Sequence, residues 1–409
     1  MKYNCKRMLG NTLAVFILCA FTLMGTAQET TRQDTTRRPT PSFANLRRTI
    51  VRSPEILSDN RVIFRIFSED ATTVTISGDW MPGFFASEPL VKNDTGLWTL
   101  TVGPLKPEFY GYTFTVDGVR VLDPNNSQVK RDGTRNESVL FISGDESALY
   151  AVKDVPHGIL SKVWYNSPTL KMNRRMYVYT PPGYETGDLE YPVLYMLHGG
   201  GGDEDAWTTL GRTCQIMDNL IFQGKAKPMI VVMTNGNPWQ AAAPGEAPSM
   251  PPGTAQPDFA SMGRGLFEES LVKDVIPYVE NHYRVVAEKG CRAVSGLSMG
   301  GMQTMNLSLN YPQVFGYYGI MSMGLVDGSR MGIPPDPDQD KKFIALKDSG
   351  YKLYWIGCGK DDFLYQSAQN LIKKLDELGF EYIYRESTGG HTWANWRIYL
   401  SELAPLLFR

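Results

Sequence analysis

Ser298 lies in "AVSGLSMGG" (residues 293–301), with Gly296 two residues before it and Gly300 two after. A serine hydroxyl becomes a useful nucleophile when a base takes its proton and a carboxylate holds that base in one tautomer. A serine on a sharp strand-to-helix turn needs this glycine spacing, because a Cβ at either place would collide with the turn. The β-prone "RAVS" before it and the helix-prone "MQTMNLSLN" after it supply that context. The chain has four histidines, His157, His198, His282 and His391. With a serine on such a turn the base comes later in the chain, and only His391, in "STGGHTW", does so. Between them "YKLYWIGCGKDDF" offers Asp361 and Asp362 directly after an apolar strand; Asp362 is the expected acid and Asp361 its competitor. A tetrahedral intermediate also needs hydrogen-bond donors. The glycines of "LHGGGGDEDAW" expose backbone N–H groups, and Gly200 with Met299 is the expected oxyanion pair, each donor being worth roughly 3 to 4 kcal/mol in the transition state. His198 reads as a hydrogen-bonder that shapes this loop, and His157 and His282 as surface residues. Asp203, Glu204 and Asp205 read as solvated loop carboxylates. Without His or Cys at ligand spacing, neither a metal nor another cofactor is expected.

These residues require a framework that brings distant loops to one edge. From "YPVLYMLHGG" onward, apolar runs alternate with helical segments: "KPMIVVMTNG", "GCRAVSG", "YYGIMSMG", "KLYWIGCG" and "EYIYRE". Near-continuous apolar strands between helices predict a mostly parallel sheet covered on both faces, over residues 150–409. In "FEESLVKDVIPYVENHYRV", Phe267, Leu271, Val272, Val275, Ile276 and Val279 share one helical face and predict a packing helix. Residues 55–145 differ: "RVIFRIF", "TTVTISG", "LWTLTVG", "FYGYTFTVDG" and "ESVLFIS" are short β-prone runs between turn residues, the pattern of an all-β sandwich. With all three reactive residues beyond it, a chain starting near Ser147 is expected to keep turnover of small esters, unless the sandwich covers an apolar face.

At 409 residues the chain has room for two domains, and 42% hydrophobic with 21% charged residues is ordinary globular composition. Lys2, Lys6 and Arg7 precede an apolar run from Leu13 to Met24, followed by Gly25-Thr26-Ala27. That is the pattern of a cleaved export signal over 1–27, and the run is too short for the roughly 20 residues of a membrane span. Residues 28–54 read as a polar, Thr-rich flexible leader. The whole chain has net charge −2. The signal carries three of its basic residues, so the mature chain is mildly acidic, with no basic footprint for nucleic acid or anionic lipid. Cys214, Cys291 and Cys358 remain, too few for a disulfide framework.

The stretches "YMLHGGGG", "VIPYVENHYRV", "GLSMGGMQ", "GCGKDDF" and "GGHTWANWR" together resemble carbohydrate esterase family 1, which includes feruloyl and acetylxylan esterases and esterase D-type hydrolases. The resemblance implies an α/β-hydrolase fold, Ser298 as nucleophile, His391 as base, Asp362 as acid, and Gly200 with Met299 as oxyanion donors. "TISGDWM" and "FYGYTFTVDG" more loosely resemble early-set immunoglobulin-like domains related to glycogen-binding modules, with Trp80 and Trp98 open to either sugar stacking or core packing. The implied protein is a secreted or periplasmic serine esterase acting on acylated xylan. The proline-rich loop after Asn235 carries Trp239, Met250, Phe259 and Met262, and a loop this long in a compact domain is usually functional. With Trp393 and Trp396 it would form an apolar wall suited to a feruloyl ring. An acetylxylan esterase, a siderophore trilactone esterase and a non-catalytic carbohydrate-binding protein are the alternatives.

Overall fold

The computed structural model describes residues 51–82, 86–247, 265–326 and 336–409. The expected export signal and Met250, Phe259 and Met262 lie outside these residues. The leader was expected to reach residue 54, yet Ser53 is already buried, its hydroxyl donating to Asp123 (2.6 Å). The first domain therefore begins before residue 55.

Two antiparallel sheets form the sandwich. One runs, in spatial order, Glu55–Ile56, Val62–Phe67, Leu97–Val102 and Val91–Lys92. The other runs Glu88–Pro89, Val74–Gly78, Phe109–Val116, Arg135–Phe141 and Val129–Asp132. The alternation read from the sequence fills the space between them: Val62, Phe64 and Ile66 from one sheet meet Val74, Ile76, Tyr112 and Phe114 from the other. Both candidate sugar-stacking tryptophans serve this core. Trp98 is buried and donates to the Ser68 carbonyl (2.9 Å), and Trp80 stacks on Phe64 with centroids 5.3 Å apart.

The second sheet system has eight strands, in spatial order Ile159–Ser167, Met172–Thr180, Ile230–Thr234, Val193–Leu197, Arg292–Leu297, Tyr317–Met321, Leu353–Gly359 and Ile383–Ser387. The first two and their junction with the third are antiparallel; the remaining pairs are parallel. This is the α/β-hydrolase arrangement, with helices on both faces. Its central strands are buried on both sides, which is why they read as unbroken apolar runs. The edge strand Ile159–Ser167 escaped the sequence reading because its residues alternate between solvent and partial cover. The packing helix is present as Leu266–Ser270 and Ile276–His282 joined by a π-turn at Leu271–Val275, just before Pro277, which has no N–H to donate. Among the described residues no helix is long and apolar enough to cross a membrane.

Val51 to Arg409 form one compact unit. Phe109 and Val139 of the sandwich, with Tyr150 of the connector, share a core with Trp207, Leu297, Trp355, Trp396 and Tyr399. An ion pair sits in the same seam: buried Arg397 donates to Glu108 (2.7 Å), which also accepts the Tyr150 hydroxyl (2.6 Å). The condition attached to the truncation is thus not met, because the sandwich does cover an apolar face. Stripping Glu108 would also leave Arg397 buried and unpaired, and breaking such a pair from one side costs about 3 to 5 kcal/mol. A chain starting at Ser147 should be recovered aggregated or without a cooperative thermal transition, as read by size-exclusion chromatography and calorimetry. Glu108→Ala in the full chain should lower stability by about 3 kcal/mol.

Candidate active site

Six loops leave the carboxyl ends of the adjacent parallel strands, and each sequence-derived triad residue sits on one of them. The strand Arg292–Leu297 ends at Ser298, whose backbone takes φ 53° and ψ −116° before the helix Met299–Asn310 begins. The Ser298 N–H donates to the Met321 carbonyl (2.9 Å), and its carbonyl accepts from the Met302 N–H (2.9 Å). The hydroxyl does not cap the helix, so it is left for other work. A Cβ on Gly296 would lie 2.4 Å from the Gly300 carbonyl carbon, and one on Gly300 would lie 2.4 Å from the Leu197 carbonyl oxygen. Both glycines are therefore fixed by backbone-on-backbone approach.

His391 and Asp362 meet directly. The imidazole Nδ1 is 3.0 Å from each carboxylate oxygen, and the Asp362 side chain is fully buried while His391 keeps 17% exposure. Burial by itself would raise the Asp362 pKa; hydrogen bonds from His391, the Leu364 N–H and Ser322 outweigh it and hold the carboxyl below its usual value. An Asp362 ionised in this way obliges His391 to keep its proton on Nδ1 and leaves Nε2 free. Asp361 does different work, accepting the Gly389 N–H (3.1 Å) and so closing the loop that presents His391. Sequence reasoning missed Ser322, which follows the next strand in a left-handed conformation (φ 50°) and contacts both Asp362 and Trp396.

The "HGGGGDED" loop is held from several sides. His198 is buried, donates from Nδ1 to the Gly199 carbonyl (2.7 Å) and accepts the Gly236 N–H at Nε2 (2.7 Å). Burial lowers its pKa, which suits a neutral ring with one donor and one acceptor. The acidic trio is not solvated as expected. Asp203 is buried and forked by Arg131 (2.6 and 2.9 Å). Glu204 is buried between Arg175 (2.8 Å), Asn235 (3.1 Å) and the Ala243 N–H (2.8 Å). Their partners lie too far away in sequence to be foreseen. Gly200 sits in open space on this loop, and Met299 opens its helix, so neither N–H is needed by regular structure.

The three candidate acyl-binding tryptophans separate. Trp239 is 39% exposed, on a loop anchored where Arg174 donates to the carbonyls of Asn235, Asn237 and Gln240. Trp393 packs edge-to-face between Trp207 and Trp396. Trp396 is buried, its ring edge-on to His391 (4.9 Å) and its N–H donated to the Ser322 hydroxyl (2.9 Å). It braces His391 from behind and, being buried, has little face to offer an acyl group, contrary to expectation. A residue that sequence reading passed over is better placed: Phe363 is 73% exposed, with its ring 4.4 Å from His391. A separate cleft of about 560 Å³, lined by Arg131, Lys162, Arg175, Tyr177, Asp205 and Glu246 among others, contains none of the triad.

Residues 167–407 match a family model described as "Putative esterase", more than half of the chain. The chain belongs to this esterase family, a family of carboxylic ester hydrolases. Residues 51–131 of the esterase match carbohydrate-binding module 48, the isoamylase N-terminal domain. An endo-1,4-beta-xylanase/feruloyl esterase of Xylanibacter ruminicola is 33% identical over 367 residues, 87% of this chain. The chain spans only 46% of that relative's length. A family 1 ferulic acid esterase from Anaeromyces mucronatus, solved with ferulic acid, matches at 25% identity and TM-score 0.54, covering 66% of this chain and 98% of its own. The enterobactin esterase of Shigella flexneri shares the fold over 84% of this chain and 92% of its own, at TM-score 0.60 and 15% identity. The resemblance to carbohydrate esterase family 1 with an immunoglobulin-like N-terminal domain is borne out.

The two aspartates should separate in kinetics. Asp362→Asn leaves the imidazole in the wrong tautomer and should lower kcat about 10⁴-fold. Asp361→Asn should cost less than about tenfold, since it loosens a loop without touching the ring. Steady-state turnover of a soluble ester checks both, and the reverse ranking would move the acid to Asp361.

Proposed function

We propose that this esterase releases feruloyl groups from arabinoxylan through an acyl-enzyme on Ser298, after export directed by residues 1–27. The Ser298 hydroxyl attacks the ester carbonyl as His391 Nε2 takes its proton. Asp362 keeps the Nδ1 proton in place and stabilises the imidazolium that forms. The N–H groups of Gly200 and Met299 receive the developing oxyanion, and the helix that begins at Met299 adds the positive end of its dipole. Collapse expels the sugar alcohol, protonated by His391. Water then enters by the same route in reverse and frees the acid.

The observation that carries the acyl choice is the exposed Phe363 ring beside His391. A large apolar side chain in water next to a base has an evident use if an aromatic acyl group stacks on it, whereas an acetyl group is too small to exploit it. Trp239 on its anchored loop offers a second apolar surface. The relatives' names support the same reading, since one is a xylanase/feruloyl esterase and another was solved with ferulic acid.

Ser298→Ala should abolish ester hydrolysis, a loss on the order of 10⁶ for a working triad, and a fluorophosphonate should label Ser298 in the native chain. A label mapped elsewhere would refute the nucleophile. For the acyl group, kcat/KM for methyl ferulate should exceed that for a simple acetate ester. An aromatic pair contributes about 0.5 to 1.5 kcal/mol, so Phe363→Ala should shrink that preference about three- to tenfold, and Trp239→Ala should shrink it as well. Efficient deacetylation of xylan with negligible ferulate release would favour the acetylxylan esterase alternative.

A further inference from the structure

The hairpin between Val129–Asp132 and Arg135–Phe141 belongs to the sandwich, yet its tip lies on the glycine loop that follows the strand Val193–Leu197. Two contacts make the join. Arg131 sends one guanidinium nitrogen to Asp203 Oδ2 (2.6 Å) and to the Gly133 carbonyl (2.6 Å), and the other to Asp203 Oδ1 (2.9 Å) and Asp205 Oδ2 (3.2 Å). Gly133, in a left-handed turn (φ 57°), comes so close that a Cβ on it would lie 2.5 Å from the Gly201 carbonyl oxygen.

The location of these contacts matters more than their strength. The loop from Gly199 to Gly202 has no side chains with which to hold itself, and Gly201 is itself left-handed (φ 79°). Its first end is pinned by His198 and a turn from the Gly202 N–H to the Gly199 carbonyl (3.2 Å). Its second end is pinned at Asp203, which is buried and whose carboxylate is forked by Arg131 while also accepting the Asp205 N–H (3.0 Å). A planar fork on a carboxylate fixes orientation as well as distance, which a lysine ammonium does not. Gly133 lies against the carbonyl of the Gly201–Gly202 peptide, two peptides beyond the one that carries the Gly200 N–H, and with Asp203 it limits how the far end of the loop can move.

We infer that Arg131 and Gly133 of the N-terminal sandwich are positioning residues for transition-state stabilisation: they set the aim of the Gly200 N–H. The inference rests on the reading of Gly200 as an oxyanion donor. It gives the sandwich a role in the chemical step on every ester, including small soluble ones that touch no carbohydrate-binding surface. Neither residue touches the reacting atoms.

The test uses the full chain with Arg131→Gln, Arg131→Lys and Gly133→Ala, assayed on a small soluble ester. Fluorophosphonate titration counts reactive sites, so kcat is read per competent site even from a partly folded preparation. An oxyanion contact is made only in the transition state, and losing a whole donor costs about 10²- to 10³-fold in kcat. A misaimed donor should therefore lower kcat per titrated site about 10- to 100-fold in Arg131→Gln, with KM changed less than about threefold. Arg131→Lys should recover part of the loss, and Gly133→Ala should reproduce it with one added methyl group. Binding of an arylboronic acid, which forms a tetrahedral adduct on serine, should weaken in proportion to kcat. If kcat per titrated site stays within about twofold of the native value in both Arg131→Gln and Gly133→Ala, the hairpin is a structural joint only and the inference is overturned. Should Ser298→Ala keep its activity, the acyl-enzyme reading fails instead, a result that the Arg131 variants cannot mimic.

Discussion

A backbone held at φ 53° and ψ −116° on a residue with a side chain is the constraint around which this site is built. Such conformations cost of order 1 to 3 kcal/mol and persist only where the surroundings over-determine them. At Ser298 the surroundings are almost entirely main chain. Gly300 lies against the carbonyls of Leu197 and His198, Gly296 lies against Gly300, and the Ser298 N–H is tied to Met321 on the neighbouring strand. The same packing that holds the turn brings the first peptide of the elbow helix alongside the glycine loop. Ser298 and the start of the glycine loop are thereby registered through contacts between backbones.

A second circuit, made of side chains, holds His391. Asp362 orients His391, Ser322 supports Asp362, Trp396 donates to Ser322, and the Trp396 ring closes the circuit against His391. Three strand ends contribute to it. The two circuits touch where Met321 and Ser322 are consecutive, the first receiving the Ser298 N–H and the second facing Asp362. A displacement of that strand end would disturb Ser298 and His391 together.

Much of this was legible in the sequence, for a physical reason. The elbow spacing, the order of serine, acid and histidine, and the apolar runs are local or ordinal signals that a string of letters preserves. Pairings between distant residues are not preserved in that way. Asp203 and Glu204 looked solvated because their cations, Arg131 and Arg175, are separated from them by tens of residues and, for Asp203, by a domain boundary as well. Ser322 carries no mark of its own in "MSMG". The join between the domains did leave a trace: in Phe109–Val116 the first six residues are all buried, and "FYGYTF" lacks the alternation of a strand with one wet face. Such a strand must be covered on its second face too: Phe109 there enters the hydrolase core, while Gly111 and Thr113 lie under Lys130, Glu137 and Arg120 of the sandwich itself.

That shared core bears on how such proteins change over time. A domain tethered by a linker can be gained, lost or exchanged among enzymes with little adjustment on either side. Phe109, Val139 and Tyr150 are packed among Trp355, Trp396 and Tyr399, so a sandwich from another protein would have to bring a matching surface and a matching carboxylate for Arg397. Substitutions on the two sides of the seam are expected to be inherited together.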